Sequence, residues 1–186
     1  MHNVVIRVLF PWIGGAALAG CAVFFAEPIR TYALTGILLF FPLLDRHWRL
    51  PGFPYAPRNY TLWLVLLLTA AALLLWQPQH LGYALATLFT AALPEEWFFR
   101  AYFMTRLQET RWGRGWRANL ITTLLFGGLH ALTRGWLVGL SVLGPSLVYG
   151  WLYQRTRDLP LIVLLHALSN LVFVMFLSRY FTLLSY

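Results

Sequence analysis

Seven long apolar runs, separated by short polar connections, constrain the fold of this chain more than any other feature. One of them, from Tyr60 to Trp76, contains no charged residue. A helix that crosses a lipid bilayer needs about 20 consecutive apolar residues, and most of the runs are close to that length. The sequence therefore predicts an all-α, multipass transmembrane bundle of about seven spans.

The predicted helices follow these runs in order along the chain. They are Val4–Ala26, Ile29–Leu44, Tyr60–Trp76, Leu81–Leu107, Ala118–Leu132, Trp136–Tyr153 and Leu159–Leu177. A polar, proline-rich connection over Asp45–Asn59 separates the second from the third, and we expect Pro145 to kink the sixth. The first run is long and lacks a cleavage site before Glu27, so we interpret it as a retained span and not as a signal peptide. We expect one integral-membrane domain over residues 1–186.

The composition agrees with a membrane protein. With 60% hydrophobic and 11% charged residues, the chain is too apolar for a soluble domain of this size. Nine Trp and nine Tyr suit aromatic belts at the two membrane interfaces. The formal charge of +8 comes from arginines that apolar runs separate, so we predict topology signals and no nucleic-acid partner. Cys21 is the only cysteine, which excludes an internal disulfide and a cysteine metal site.

The arginines predict the orientation. If the N-terminus is cytoplasmic, ten arginines collect on that side: Arg7, Arg46, Arg49, Arg58, Arg106, Arg111, Arg114, Arg117, Arg155 and Arg157. Arg30, Arg134 and Arg179 fall on the other side, and Arg100 lies within a run. This positive-inside bias predicts a cytoplasmic N-terminus and an external C-terminus. We expect the protein to lie in a cell membrane, the inner membrane of a bacterium.

The stretch Leu93–Arg100 places two carboxylates and a guanidinium inside the fourth run. Glu96 and Arg100 are four residues apart and can pair on one helix face, whereas Glu95 points about 100° away and is not neutralised by that pair. Pro94 removes a backbone donor, so we expect it to break or restart the helix. A buried ion pair that fixes helix packing explains Glu96 and Arg100 but leaves Glu95 unexplained. Intramembrane charges usually mark a functional site, which we predict here.

Three further polar residues lie in later runs. His130 follows Gly127-Gly128, small residues that allow another helix to approach closely. His166 and Asn170 are four residues apart and share a helix face. Packing through interhelical hydrogen bonds is the structural alternative for each of them.

The depths of these side chains indicate whether they can meet. With a rise of about 1.5 Å per residue, His166 lies about 10 Å and Asn170 about 16 Å from the cytoplasmic start of their helix. His130 and Glu95 each lie about 18 Å from the cytoplasmic end of theirs. We therefore expect all four side chains to form one site, between the cytoplasmic half and the middle of the bilayer.

The combination of these groups predicts peptide hydrolysis. A carboxylate and a histidine around one water molecule form a general-base pair, and a second histidine with an asparagine can donate to the developing oxyanion. One alternative is Zn²⁺ held by Glu95, His130 and His166, although no His-Glu-x-x-His motif supports it. A non-catalytic membrane immunity or scaffold protein is another. A transporter with a proton relay is a third, disfavoured by the absence of internal repeats.

Three short motifs lie in order on separate predicted helices, within residues 93–170. They are Glu-Glu-x-x-x-Arg (Glu95, Glu96, Arg100), Phe-x-x-x-His (Phe126, His130) and His-x-x-x-Asn (His166, Asn170). Together they resemble the motifs of the CPBP family. That family includes CAAX prenyl proteases of the Ras-converting type and bacterial proteins linked to bacteriocin processing or self-immunity.

The resemblance implies a glutamic-type intramembrane endopeptidase, for which we expect no cofactor. According to this resemblance, Glu95 and His130 would position and activate water. His166 and Asn170 would form the oxyanion hole, and Glu96 and Arg100 would support the site. The implied partner is a membrane-tethered protein or peptide in the lipid bilayer, such as a CAAX-like substrate, a C-terminal sorting segment or a bacteriocin-type precursor. One departure is Ala101, which follows the motif arginine where glycine is common in the family.

Overall fold

The computed structural model describes residues 2–51 and 59–178, with side chains from residue 9 onward. Within these residues the chain is all-α and contains no strand. Its seven helices are α1 (His2–Phe24), α2 (Ile29–Leu44), α3 (Tyr60–Trp76), α4 (81–108), α5 (Trp116–Arg134), α6 (Trp136–Thr156) and α7 (Leu159–Leu177). The predicted all-α fold and helix order are confirmed, with boundaries that differ by a few residues. Arg58, Arg179, the tail beyond Ser178 and the side chain of Arg7 lie outside the described residues.

Length and composition identify fewer membrane spans than helices. Among the described residues, α6 and α7 are long and apolar enough to cross a membrane. The pair α3–α4 is a third candidate if it is one broken span, since it bends by 114° at the break around Gln77. α1 and α2 are shorter apolar helices over Leu9–Phe24 and Ile29–Leu44. The count of seven spans and the orientation stay predictions.

Polar and apolar side chains are distributed as in a bundle that lies in lipid. α3 is almost wholly apolar, yet none of its residues is buried. The interior combines a large apolar core with ionisable and polar side chains, among them Glu96, Arg100, Asn119 and His166. α5 contributes several of these interior groups, which explains why it is not among the apolar span candidates. Apolar side chains therefore face the surroundings, and the helices enclose a polar centre.

α4 runs on through Pro94, so the prediction that this proline breaks the helix is wrong. The helix widens instead, with π geometry over Leu88–Ala92 before the proline and over Trp97–Met104 after it. Just before the proline, the N–H of Leu93 bonds to the carbonyl of Leu88, five residues back. These wider turns accommodate Pro94, which has no backbone N–H to donate. Such segments are frequent at functional sites, and here they flank both glutamates.

Asp158 fixes the start of α7. Its Oδ1 accepts the backbone N–H of Leu161 at 3.1 Å, which caps the helix. Its Oδ2 accepts hydrogen bonds from Nδ2 of Asn59 at 3.2 Å and from Nε1 of Trp63 at 2.9 Å. These contacts attach the start of α3 to the first turn of α7. They therefore set the level at which α7 presents its polar residues.

A second buried polar contact lies near the C-terminal end of α4, for which we predict the cytoplasmic side. Nε of Arg106 donates to Oδ2 of Asp45 at 3.0 Å, and the hydroxyl of Tyr102 lies 3.4 Å from the same oxygen. Arg106 also pairs with Glu109. Arg106 is therefore a buried, paired residue that joins α2 to α4, in addition to any role as a topology charge.

Glycines bring α5 and α6 into backbone contact. A Cβ on Gly139 would lie 2.7 Å from the carbonyl oxygen of Gly127 and 2.7 Å from Cβ of Ala131. Gly128 has open space where its Cβ would be, so the predicted close approach holds for Gly127 alone. α6 is irregular at Val142, three residues before Pro145, and the kink expected at Pro145 stays a prediction.

Candidate active site

Glu96 lies at the centre of the polar interior and is fully buried. Its Oε2 is 3.1 Å from Nε of Arg100, one turn later on α4, and its Oε1 accepts a hydrogen bond from Nδ1 of His166 at 2.7 Å. The predicted pair of Glu96 with Arg100 is confirmed. The bond to His166 was not predicted, and it connects α4 to α7.

The guanidinium of Arg100 is buried as completely as its carboxylate partner. Its Nη2 donates to the hydroxyl of Ser146 at 2.8 Å and contacts the Ser146 carbonyl at 3.2 Å. Its Cζ lies 5.0 Å from the ring centroid of Phe126 and 5.8 Å from that of Tyr149, distances at which aromatic rings attract cations. α4 is thus connected to α5 and α6 through one side chain. The contacts of Ser146 and Tyr149 with Arg100 were not predicted from the sequence, which suggested packing or cavity lining for both residues.

His166 stands between the two glutamates. While Nδ1 donates to Glu96, Nε2 lies 3.7 Å from Oε2 of Glu95. The ring of Tyr149 stacks on the imidazole, with centroids 5.3 Å apart. Glu95 keeps 14% of its side chain exposed, whereas Glu96 has none. The two adjacent carboxylates therefore differ, because only Glu95 remains accessible.

The orientation of His130 is fixed through one ring nitrogen. Nδ1 lies 3.0 Å from the carbonyl oxygen of Phe126, one turn earlier on α5. A carbonyl can only accept, so Nδ1 carries the proton and Nε2 of the neutral ring keeps its lone pair. The Phe126 ring also packs against the imidazole at 4.3 Å. His130 therefore offers a basic nitrogen on a ring that cannot turn freely.

Two cavities meet at these residues. The α6 cavity, about 230 Å³ in volume, lies between α4, α5, α6 and α7. The α2 cavity, about 400 Å³, extends from the same residues toward α2 and the start of α4. Glu95, His130 and Asn170 line both cavities, and His166 lines the first. The four side chains predicted to meet do line one space.

The structure changes the estimated depth of His130. α5 begins at Trp116, so His130 lies about 21 Å from its start and about 6 Å from its last residue, Arg134. Arg134 also lines both cavities, which the sequence analysis did not foresee. Its position one turn after His130 is the signal that could have identified it.

Within residues 2–51 and 59–178, no group of three or more His, Cys, Asp or Glu side chains is arranged to hold a metal ion. The zinc set considered above, with Glu95, is therefore not assembled in the described part of the chain.

Comparison with known proteins bears on this geometry. A family model described as type II CAAX prenyl endopeptidase Rce1-like matches residues 76–172, just over half of the chain. The chain belongs to this family. The matched stretch of the Rce1-like family contains Glu95, Arg100, His130 and Asn170. No curated protein and no solved structure matches.

Membership in the Rce1-like family identifies a CAAX-type membrane protease, and therefore a hydrolase with a protein or peptide substrate in the membrane. The resemblance to the CPBP motifs is thereby confirmed at the level of the family. The polar centre enclosed by α4, α5, α6 and α7 falls within the matched residues.

Proposed function

We propose that this protein is a glutamic-type intramembrane endopeptidase, in which Glu95 and His130 activate a water molecule. The observation that carries the proposal is the contrast between two adjacent carboxylates. Glu96 is buried and bonded to Arg100 and His166, whereas Glu95 is accessible and lines both cavities. A general base must reach its water molecule, which favours Glu95 for that role.

The first step is attack by water on the substrate carbonyl. Glu95 takes one proton from the water while Nε2 of His130 accepts a hydrogen bond from its other O–H. The water oxygen bonds to the carbonyl carbon, and the carbonyl oxygen takes the negative charge. Glu95 then passes its proton to the leaving nitrogen, the C–N bond breaks, and an acid and an amine are released.

The oxyanion is stabilised by α7. Nδ2 of Asn170 donates to it, and so does Nε2 of His166. In this mechanism the His166 ring carries both protons, because its Nδ1 donates to Glu96 at the same time. Glu96 and Arg100 are positioning residues, since they act by fixing His166 and the packing of α4.

The substrate is a membrane-tethered protein or peptide, with CAAX-like processing, removal of a C-terminal sorting segment and bacteriocin-type maturation as the candidate settings. We propose that cleavage occurs within a bacterial inner membrane. The active site was expected nearer the cytoplasmic side, but His130 lies about 21 Å from the predicted cytoplasmic start of α5 and about 6 Å from its other end, so we propose a cut near the middle of the bilayer. The catalytic motifs lie within residues 93–170, in one integral-membrane domain over residues 1–186.

The test uses purified protein in proteoliposomes with a library of membrane-inserting peptides, and mass spectrometry detects the products. Glu95→Gln and His130→Ala should each abolish cleavage while the protein stays inserted and folded. Glu27→Gln and His80→Ala are the matched controls. Both controls alter the same residue types outside the cavities, and they should keep wild-type rates.

Three outcomes would contradict the proposal. Cleavage that persists in both catalytic-site variants would exclude Glu95 and His130 from the reaction. Cleavage that disappears after exhaustive chelation and returns with Zn²⁺ would favour the metal-dependent alternative. If the wild-type protein cleaves no peptide, and cells that carry Glu95→Gln keep the protection that the wild-type protein gives, a non-catalytic immunity or scaffold role fits better.

A further inference from the structure

Arg134 is a cation at the junction of both cavities that the proposed reaction does not use. It is the last residue of α5, one helical turn after His130, and it lines the α6 cavity and the α2 cavity. Its side chain is exposed. Among the described residues it makes no ion pair and no hydrogen bond, unlike Arg100, which has a carboxylate, a hydroxyl and two aromatic rings.

An unpaired guanidinium in this position is suited to binding an anion. Arg134 lines both cavities, and an arginine matches planar carboxylates with two parallel hydrogen bonds. The acidic residues of the site are already engaged or lie beyond ion-pair distance of Arg134. Glu96 is paired with Arg100, and Glu95 faces His166. No carboxylate of the described residues therefore pairs with Arg134, and its guanidinium is available to an anion in the cavities.

We infer that Arg134 is a specificity-determining residue that binds a carboxylate of the peptide substrate. This rests on the proposed function. The carboxylate is either the free C-terminus of the substrate or an acidic side chain, since both present the same planar oxyanion.

The helix geometry predicts where that carboxylate lies. Four residues of α-helix separate Arg134 from His130 by about 6 Å along the axis. An extended peptide covers about 3.3 Å per residue, so the carboxylate falls about two residues from the scissile bond, or slightly further given the length of the arginine side chain. The preference should therefore appear at a fixed, short offset from the cut.

The experiment compares wild-type protein, Arg134→Gln and Arg134→Glu in proteoliposomes of uncharged phosphatidylcholine. The probe is a degenerate library of membrane-inserting peptides, made once with free C-termini and once with C-terminal amides. Cut sites are identified by mass spectrometry, and the Glu95→Gln protein, which should not cleave, gives the background signal. Arg114→Gln, which removes an exposed arginine from the connection between α4 and α5, is the matched charge control.

The inference predicts that wild-type protein and Arg114→Gln cleave peptides with a carboxylate at one offset about tenfold to a hundredfold better than the others. Arg134→Gln should lose this preference, and Arg134→Glu should favour lysine or arginine at the same offset. If amidation of the C-terminus removes the preference, the bound carboxylate is the C-terminus of the peptide. If a preference for Asp or Glu survives amidation, the bound carboxylate belongs to a side chain.

Three results would overturn the inference and leave the proposed function intact. One is Glu95-dependent cleavage with no carboxylate preference in the wild type. Another is a preference that Arg134→Glu does not alter. A third, in which Arg134→Gln changes activity only when anionic lipid is added, would assign Arg134 to a lipid headgroup and also contradict it. Absence of any Glu95-dependent cleavage would instead reject the proposed function.

Discussion

Oε1 of Glu96 accepts a hydrogen bond from Nδ1 of His166 at 2.7 Å, although 70 residues separate them in the chain. The same carboxylate contacts Arg100 through its other oxygen. One buried side chain therefore connects α4 to α7 and holds the imidazole whose opposite nitrogen faces Glu95.

Removing Glu96 should destabilise the protein far more than removing Glu95. Glu96→Gln leaves the buried guanidinium of Arg100 without its counter-charge, and breaking such a pair typically lowers the free energy of unfolding by about 3 to 5 kcal/mol. Glu95→Gln should change it by less than about 1 kcal/mol, because Glu95 has no such partner. Unfolding by SDS titration in mixed micelles measures both.

The double variant Glu96→Leu/Arg100→Met provides the control for that interpretation. It removes both charges and keeps similar volumes, so most of the lost unfolding free energy should return. Equal destabilisation by Glu95→Gln and Glu96→Gln would contradict the division of roles between the two carboxylates.

Asn170→Ala should act on the chemical step. Loss of one oxyanion donor lowers kcat by about 100-fold to 1,000-fold in comparable enzymes, and KM should change little because the donor acts on the transition state. Steady-state kinetics on a peptide identified from the library separates the two constants. An Asn170→Ala protein with unchanged kcat and a raised KM would assign Asn170 to substrate binding.

Gly139→Ala and Gly128→Ala form a matched pair that tests the contact between α5 and α6. The first places a methyl group against the backbone of Gly127 and the side chain of Ala131, where nothing flexible can yield. We expect it to lower the unfolding free energy by about 1 to 3 kcal/mol. The second methyl group enters open space and should have little effect. Similar losses in both would argue against the close approach at Gly139.

The orientation is tested by cysteine labelling in a Cys21→Ala background. With a cytoplasmic N-terminus, the connection between α3 and α4 is external and the connection between α4 and α5 is internal. Gln79→Cys should therefore react with a membrane-impermeant maleimide in intact cells. Arg114→Cys should react only after permeabilisation. The reverse pattern would invert the predicted topology.

The helices were predictable because their signal is local. An apolar run such as Tyr60–Trp76 needs no partner to be recognised, and its helix has the predicted ends. The pairing of Glu96 with Arg100 was also predictable, since a spacing of four residues places both on one face of one helix. The shared level of Glu95 and His130 followed from helix rise alone.

The contacts between helices were not predictable in the same way. The bond from His166 to Glu96, the hydroxyl that Ser146 offers to Arg100 and the position of Arg134 depend on how each helix is rotated against its neighbours. Tertiary packing decides that rotation. The π geometry around Pro94 was missed for a related reason, because the surrounding bundle can hold a helix together where a proline alone would interrupt it.

The meeting of the α6 cavity and the α2 cavity at Glu95 and His130 has a consequence for the direction of the proposed reaction. Rejoining two fragments requires both ends to remain side by side at the catalytic groups. In the proposed reaction, two cavities that share Glu95 and His130 give each fragment a space of its own, so one fragment can move away while the other is still held. Such an arrangement favours a one-way cut over a reversible exchange of peptide ends.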